Sequence, residues 1–302
     1  MGGSGINLEA GNFPHVVGEY NFLVVWRLCL PGWLYGWLKF GPLSHPRFRI
    51  QSSDKLYDLG EGICRQAEAT KDLDEVPSVY KLFTDQDVKY PTQPWTRPEI
   101  SAEVAGQVLA ATETTSSALA FIFYELAKNQ GLLEKVHEEL QTLEPDGELD
   151  SLKLLDACSK EGLRFRPPVA LTGSRLVPKG GLDVLGYHLP PGTVITTQSL
   201  SMSRQRRDLF PDYDVYNPAR WLDEKDSAER RRLLVPFGVG ARRCPGGNMA
   251  LYQMRLILAA TIRAFTIIVA PETTPQKMEP FEANGYRSRH DRCDLIFTPR
   301  NA

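Results

Sequence analysis

The chain has 302 residues, 42% of them hydrophobic and 24% charged, with a formal net charge of −2. That length suits one large domain or two ordinary ones, and the apolar content is ample for a buried core, which excludes wholesale disorder. A balance so near neutral excludes a general electrostatic attraction to nucleic acid or anionic lipid. The five cysteines (Cys29, Cys64, Cys158, Cys244 and Cys293) are scattered, odd in number and free of any Cys-x-x-Cys pair. This argues against a disulfide scaffold and structural zinc, and suits a reducing, intracellular compartment. Four of them read as small buried apolar residues; only Cys244 has informative neighbours.

In chain order, the first residues show no secretory signal pattern, and Gly2-Gly3-Ser4-Gly5 carries no weight. The most apolar stretch, Phe22 to Phe40, includes Trp26, Trp33 and Trp37 but is broken by Arg27, Pro31, Gly32 and Gly36. A spanning helix needs about 20 apolar residues in a row. The stretch therefore predicts two short helices bent at Pro31, either packed in the core, the safer expectation, or dipping into a membrane surface.

Thr96-Arg97-Pro98-Glu99 reads as a capping box, with the Thr side chain accepting from the first turn and the Glu reaching back. Apolar residues then recur at helical spacing through Ile100, Val104, Val108, Leu119, Ile122 and Leu126, predicting a helix of about 30 residues that stops at Gly131. Further helices are expected over about 132–143 and 151–165, the latter ended by Pro167-Pro168. Val184-Leu185-Gly186-Tyr187 and Thr193-Val194-Ile195-Thr196 flank Pro190-Pro191-Gly192 and read as a hairpin. Residues 205–236 read as mostly irregular, followed by a helix from Pro245 to about Ala264 and strands at 265–269 and 294–297. The whole is a mainly α fold with small β-sheet pieces, of α+β class.

Three constellations carry chemistry. In Phe237-Gly238-Val239-Gly240-Ala241-Arg242-Arg243-Cys244-Pro245-Gly246-Gly247, glycines let the backbone turn tightly and approach a bulky group. Cys244 falls just before a helix, whose N-terminal amides favour a thiolate, and Arg242 offers charge to an anionic ligand group. No Gly-Lys-Ser/Thr follows, so this is not a phosphate loop. The second is Thr112-Glu113-Thr114-Thr115-Ser116-Ser117, poor helix material because each hydroxyl competes for the backbone; a polar helix face is the plain alternative. The third is Glu161-Gly162-Leu163-Arg164, which on spacing alone is a helical ion pair at the surface.

Phe-x-x-Gly-x-Arg-x-Cys-x-Gly, matched at Phe237, Gly240, Arg242, Cys244 and Gly246, resembles the haem-binding signature of the cytochromes P-450. The hydroxyl run resembles that family's oxygen-activation motif, with Ala111 where a glycine is usual. Glu161-x-x-Arg164 with Asn217-Pro218-Ala219-Arg220 resembles its Glu-x-x-Arg and Pro-x-Arg segments. The resemblance implies a haem-thiolate monooxygenase: haem b (heme b) with its iron on Cys244, Arg175 and Arg242 toward the propionates, Glu113 and Thr114 as the acid–alcohol pair that relays protons, and Glu161, Arg164 and Arg220 as a buried structural triad. It implies one partial P-450-like domain, residues 1–92 roofing the substrate pocket and 93–302 forming the haem-binding core. The anchor, the early strand region and the Trp-x-x-x-Arg helix of the family have no counterpart, so the chain reads as shortened.

The expected substrate is a small apolar molecule. Electrons are expected from a separate NADPH-dependent reductase, since no Gly-x-Gly-x-x-Gly fingerprint follows a strand. Arg230, Arg231, Arg232, Arg242 and Arg243 offer it a basic face, or form a solvated charge run. Location is expected to be cytoplasmic or at the endoplasmic reticulum, with peripheral membrane contact open and no nucleic-acid partner. The alternatives are a haem-independent enzyme, for a cyclisation or rearrangement, and a non-catalytic remnant.

Overall fold

The computed structural model of the chain describes residues 20, 30–40, 44–70, 78–84, 94–144, 147–170, 173–225, 227–282, 285–290 and 292–300. The chain divides into two compact units, residues 1–113 and 114–302, with the division inside one long helix.

In the first unit, α1 (Gly32–Phe40) starts directly after Pro31, whose carbonyl accepts from the Leu34 amide at 3.0 Å. The helix expected before Pro31 lies outside the described residues, as do Trp26 and Cys29. Trp33 and Trp37 are 76% and 54% exposed, so core packing fails for both. They stand four residues apart on one helix face, and an indole, apolar with a polar N–H, tolerates water better than a purely aliphatic side chain does.

Next come α2 (Ser44–Ala69), α3 (Val79–Thr84) and α4 (Arg97–Lys128). A Cβ on Gly60 of α2 would lie 2.1 Å from the Ser101 carbonyl oxygen of α4; the two helices cross where one has no side chain. Beside the crossing, Arg97 grips both oxygens of Glu61, Nε to Oε2 at 3.0 Å and Nη2 to Oε1 at 3.2 Å, and also pairs with Glu68. Ser101 Oγ donates to Glu61 at 2.6 Å, and Cys64, Ile100 and Val104 form the apolar floor.

The start of α4 departs from the expected capping box. Glu99 does reach back to the Thr96 amide at 2.8 Å, but the Thr96 hydroxyl donates to that same carboxylate at 2.7 Å instead of accepting from the first turn. The helix runs 32 residues, about 48 Å at 1.5 Å per residue. It ends at Asn129, not Gly131: the Asn129 side chain accepts from the Leu132 amide at 3.0 Å and caps the next helix, so Gly131 lies inside that helix. Asparagine favours this position because its short carbonyl satisfies an orphan donor.

In the second unit, α5 (Gln130–Gln141), α6 (Lys153–Phe165) and α9 (Gly247–Ala264) close a core with the latter half of α4. Ile122 and Leu126, Leu133 and Leu140, Leu155 and Leu163, and Leu258 and Ile262 meet there. A Cβ on Gly162 would lie 2.2 Å from Ile122 Cγ1, so α6 approaches α4 through a glycine. On the side of α9 opposite Met254, Leu258 and Ile262, the apolar Met249, Tyr252 and Leu256 stay exposed.

Among the described residues, four small antiparallel pairs complete the unit. β5 (Phe265–Val269) pairs with β8 (Leu295–Pro299), and β6 (Pro280–Glu282) with β7 (Tyr286–Ser288). The expected hairpin around Pro190-Pro191-Gly192 does not form. Instead β2 (Leu182–Val184) pairs with β3 (Tyr187–Leu189), and β1 (Arg175–Leu176) with β4 (Val194–Ile195). The hairpin turns at Leu185-Gly186, both at positive φ (50° and 83°), the geometry whose twist matches two flanking strands. Pro190 to Thr193 makes a separate turn, with Gly192 at φ 81°. A short helix, α7 (Ser199–Gln205), ends where the stretch expected to be irregular begins, and that stretch holds one short helix, α8 (Ser227–Leu233), besides a 3-10 turn at Pro218–Trp221.

The Arg97 guanidinium, with Ser101 and Arg65, holds the Glu61 carboxyl at about 2. A depressed carboxylate contributes stability present above its ordinary pKa and lost as pH falls through the folded value. Amide protection in residues 97–104, the slowing of exchange relative to an unstructured chain at the same pH, is therefore expected to fall as pH falls from about 4.5 toward 2. Glu61→Gln is expected to show low protection already at neutral pH and to flatten that profile; an unchanged profile in the variant would assign the acid response elsewhere.

Candidate functional site

Cys244 is held by main chain. Its amide donates to the Phe237 carbonyl at 2.8 Å, closing the loop across seven residues. Gly238 and Gly240 sit at φ 69° and 75°, the left-handed region that favours glycine. A Cβ added at either would meet nothing within 4 Å, whereas one on Gly247 would press the Phe237 ring at 3.2 Å. The loop is thus packed at its base and open above. Cys244 is exposed there, in contrast to the buried Cys64 and Cys158 and the half-buried Cys293. Burial pushes the Cys158 thiol up to about 12 and that of Cys293 to about 11. Cys244 lies just ahead of α9, whose first amides are the natural partners of an anionic sulfur.

Among the described residues no three His, Cys, Asp or Glu side chains cluster as a metal site. A lone accessible thiol on an open glycine loop fits a metal that arrives inside a flat prosthetic group, since one soft thiolate completes such a site from one face. Arg242 is exposed on the same loop and makes no hydrogen bond or ion pair among the described residues. Arg175 is exposed on β1, its Nη1 donating to the Gly173 and Ser174 carbonyls at 2.7 and 3.0 Å. No hydrogen bond joins either arginine to Cys244 among the described residues.

Glu113 and Thr114 are half-buried neighbours at the middle of α4, directly after the exposed Ala110, Ala111 and Thr112. Helix persists through the hydroxyl run partly because hydroxyls find helix carbonyls. Thr112 Oγ1 donates to Val108 O at 2.7 Å, four residues back, which leaves the backbone ladder in place. The Thr115 hydroxyl is buried and has no hydrogen-bond partner among the described residues.

Glu161 is fully buried and accepts five donors. Arg164 grips it bidentately, Nε to Oε2 at 2.8 Å and Nη2 to Oε1 at 2.7 Å. Arg220 Nε adds a contact at 3.1 Å, Trp221 Nε1 one at 2.8 Å and the Asn217 amide one at 2.9 Å. Two cations on one anion leave a surplus charge, which is spread over carbonyls: Tyr213 and Val215 for Arg164, Pro211 and Asp212 for Arg220.

Sequence reasoning missed Trp221 and Asn217 in this cluster, although the Pro-Ala-Arg-Trp string placed an indole beside the arginine. It also misread Arg230. That side chain is buried and donates to the carbonyls of Leu209, Arg220 and Lys225, each at 2.9 Å, so it is unavailable to a docking partner. Nothing in a run of three arginines singles out the buried one; Arg231 and Arg232 remain exposed.

A sequence model of the cytochrome P450 family matches residues 15–290: the chain belongs to the cytochrome P450 family. Lanosterol 14-alpha demethylase of Mus musculus is 31% identical over 281 residues, which cover 90% of this chain and 50% of that protein. Cytochrome P450 monooxygenase cpaH of Aspergillus oryzae is 35% identical over 210 residues, 67% of this chain and 41% of that one. A cytochrome P450 crystal structure, 18% identical, superposes with a TM-score of 0.75 over 95% of this chain and 65% of its own, a likeness of fold. The chain spans half or less of the length of these curated relatives.

Glu161→Gln would leave two buried guanidinium groups without their anion, an expected loss of about 3–5 kcal/mol. Trp221→Phe removes one neutral donor and is expected to cost about 1–3 kcal/mol. Urea unfolding of both variants checks the order; equal losses would mean that packing, not charge, dominates the cluster.

Proposed function

We propose that the chain provides the thiolate and proton-delivery machinery of a haem-thiolate monooxygenase acting on a small apolar organic molecule. The observation that carries this reading is Cys244, exposed on a loop whose base is packed by Phe237 against Gly247 and whose upper side is open. Family membership supports haem as the prosthetic group; when bound, it supplies dioxygen binding and activation.

The chain's own residues would then do the following. Cys244 Sγ holds the iron, kept in place by the amide bond to Phe237 and favoured as thiolate by the N-terminus of α9. Arg242, without a hydrogen-bond or ion-pair partner among the described residues, neutralises a propionate, and Arg175 offers a second guanidinium once released from Gly173. Thr114 Oγ1 hands a proton to the oxygen side, and the Glu113 carboxyl resupplies it. Glu161, Arg164 and Arg220 keep the preceding scaffold rigid and touch no reactant. Relatives named for lanosterol support an apolar substrate class.

Electrons come, in this reading, from an NADPH-dependent reductase. Arg231, Arg232, Arg242 and Arg243 are exposed and carry no carboxylate partner among the described residues. They suit an acidic docking surface, one that steers encounter more than it adds affinity.

Membrane contact belongs to α1. Among the described residues no helix is long and apolar enough to cross a membrane. Exposed indoles at Trp33 and Trp37 suit a headgroup layer, apolar on one side and wet on the other. Co-sedimentation with phosphatidylcholine vesicles is expected for the chain and reduced several-fold by Trp33→Ala with Trp37→Ala. Equal sedimentation of both forms would discard α1 as the contact.

The decisive test is optical. Purified chain supplied with haem, reduced and exposed to carbon monoxide is expected to show the red-shifted Soret band of a thiolate–iron–carbonyl complex, abolished by Cys244→Ala. A folded chain that takes up no haem would sink the proposal and favour a haem-independent role.

A further inference from the structure

Past Thr114, one face of α4 runs through Ser117, Phe121 and Tyr124, at spacings of four and three. Met278, Tyr286 and Cys293 pack along it. Met278 joins Phe121 and Tyr124 in a buried cluster with Cys293 against its edge, and the Cys293 thiol approaches the neighbouring Ala120 carbonyl at 3.9 Å. The member nearest Thr114 is polar: Ser117 Oγ donates to the main-chain carbonyl of Tyr286. The Tyr286 amide in turn donates to the Pro168 carbonyl at 2.7 Å, in the turn that follows α6. A Cβ on Gly285 would come within 3.3 Å of that same Pro168 oxygen, so the two segments are closely seated.

Tyr286 faces Glu282 across the β6–β7 pair, yet its amide and its carbonyl both find partners outside that pair. The edge of the hairpin is therefore covered by two other parts of the chain. Three segments meet at one residue: α4 three positions beyond Thr114, the Pro167-Pro168 turn, and the hairpin. The separation from Thr114 to Ser117 along the helix axis is about 4.5 Å. Because the acceptor is main chain, the tie does not depend on which side chain stands at 286.

We propose that Ser117 is a positioning residue for Thr114, coupling the hairpin at Tyr286 to the turn of α4 that carries the proton-relaying hydroxyl. The role of Thr114 rests on the monooxygenase reading; the tie between Ser117 and the hairpin does not. The bond holds the hairpin and this turn of the helix together, and its loss lets the two move separately.

The test compares Ser117→Ala with Ser117→Thr, which keeps a hydroxyl. In the haem-free chain, loss of one such bond is expected to raise amide exchange about tenfold at Tyr286–Ser288, with a smaller rise at Thr114–Ala118 of the helix. Ser117→Thr is expected to restore both. In haem-loaded chain, Ser117→Ala is expected to raise the share of consumed reducing equivalents released as hydrogen peroxide, with the carbonyl band unchanged. Unaltered exchange in the hairpin overturns the tie. Faster exchange confined to the hairpin, with helix amides and peroxide share as in the unsubstituted chain, overturns the positioning role. If the unsubstituted chain binds no haem, the monooxygenase reading fails, and the helix amides alone decide whether Ser117 controls the Thr114 turn.

Discussion

Burial of the Glu161 carboxylate is the constraint on which the second unit depends. An ion out of water costs several kcal/mol unless its partners replace the lost hydration, and Glu161 has no exposed surface. Its five donors come from its own helix and from residues 217–221, more than 50 positions later. Arg220 then lends its carbonyl to Arg230 of α8, and α8 ends four residues before Phe237. A line of charged and main-chain contacts thus runs from α6 to the threshold of the cysteine loop. Cys244 itself is held by the bond from its amide to the Phe237 carbonyl.

Glycine does the complementary work. At Gly60 and Gly162 two helices approach a neighbour more closely than any side chain would permit, and at Gly247 the backbone makes room for the Phe237 ring. These sites differ from Gly238 and Gly240, where space is open and left-handed backbone is the requirement. One set of glycines makes contact possible; the other makes a turn possible.

Much of this was legible in the sequence because it is local. The long helix followed from periodicity, the end of α6 from Pro167-Pro168, and the cysteine loop from one contiguous string. What stayed hidden depends on distant partners. The two strand pairs at 175–195 were misassigned because Pro190-Pro191-Gly192 is the louder turn signal, while Leu185-Gly186 supplies the two positive φ angles a tight hairpin needs. Arg230 looked like its exposed neighbours because only Leu209, Arg220 and Lys225, brought close by folding, distinguish it. Trp33 and Trp37 looked like core because composition records apolarity and not the direction of a helix face. For Glu161 the pairing with Arg164 was readable from spacing, which equally describes a surface ion pair; its burial was an expectation of the family resemblance alone, and Glu161, Arg164 and Arg220 are all buried.

The outward stripe of α9 bears on how the chain behaves in solution. A helix that presents apolar side chains on opposite sides is at home between two layers, and here Met249, Tyr252 and Leu256 face solvent. With a net charge of only −2, little long-range repulsion keeps copies apart. Sulfate and phosphate salts, which strengthen apolar association by exclusion from protein surfaces, push against solubility along this stripe while leaving the buried cluster at Glu161 untouched. Colloidal stability and folding stability are therefore governed by different parts of the same unit, and a buffer chosen for one need not serve the other.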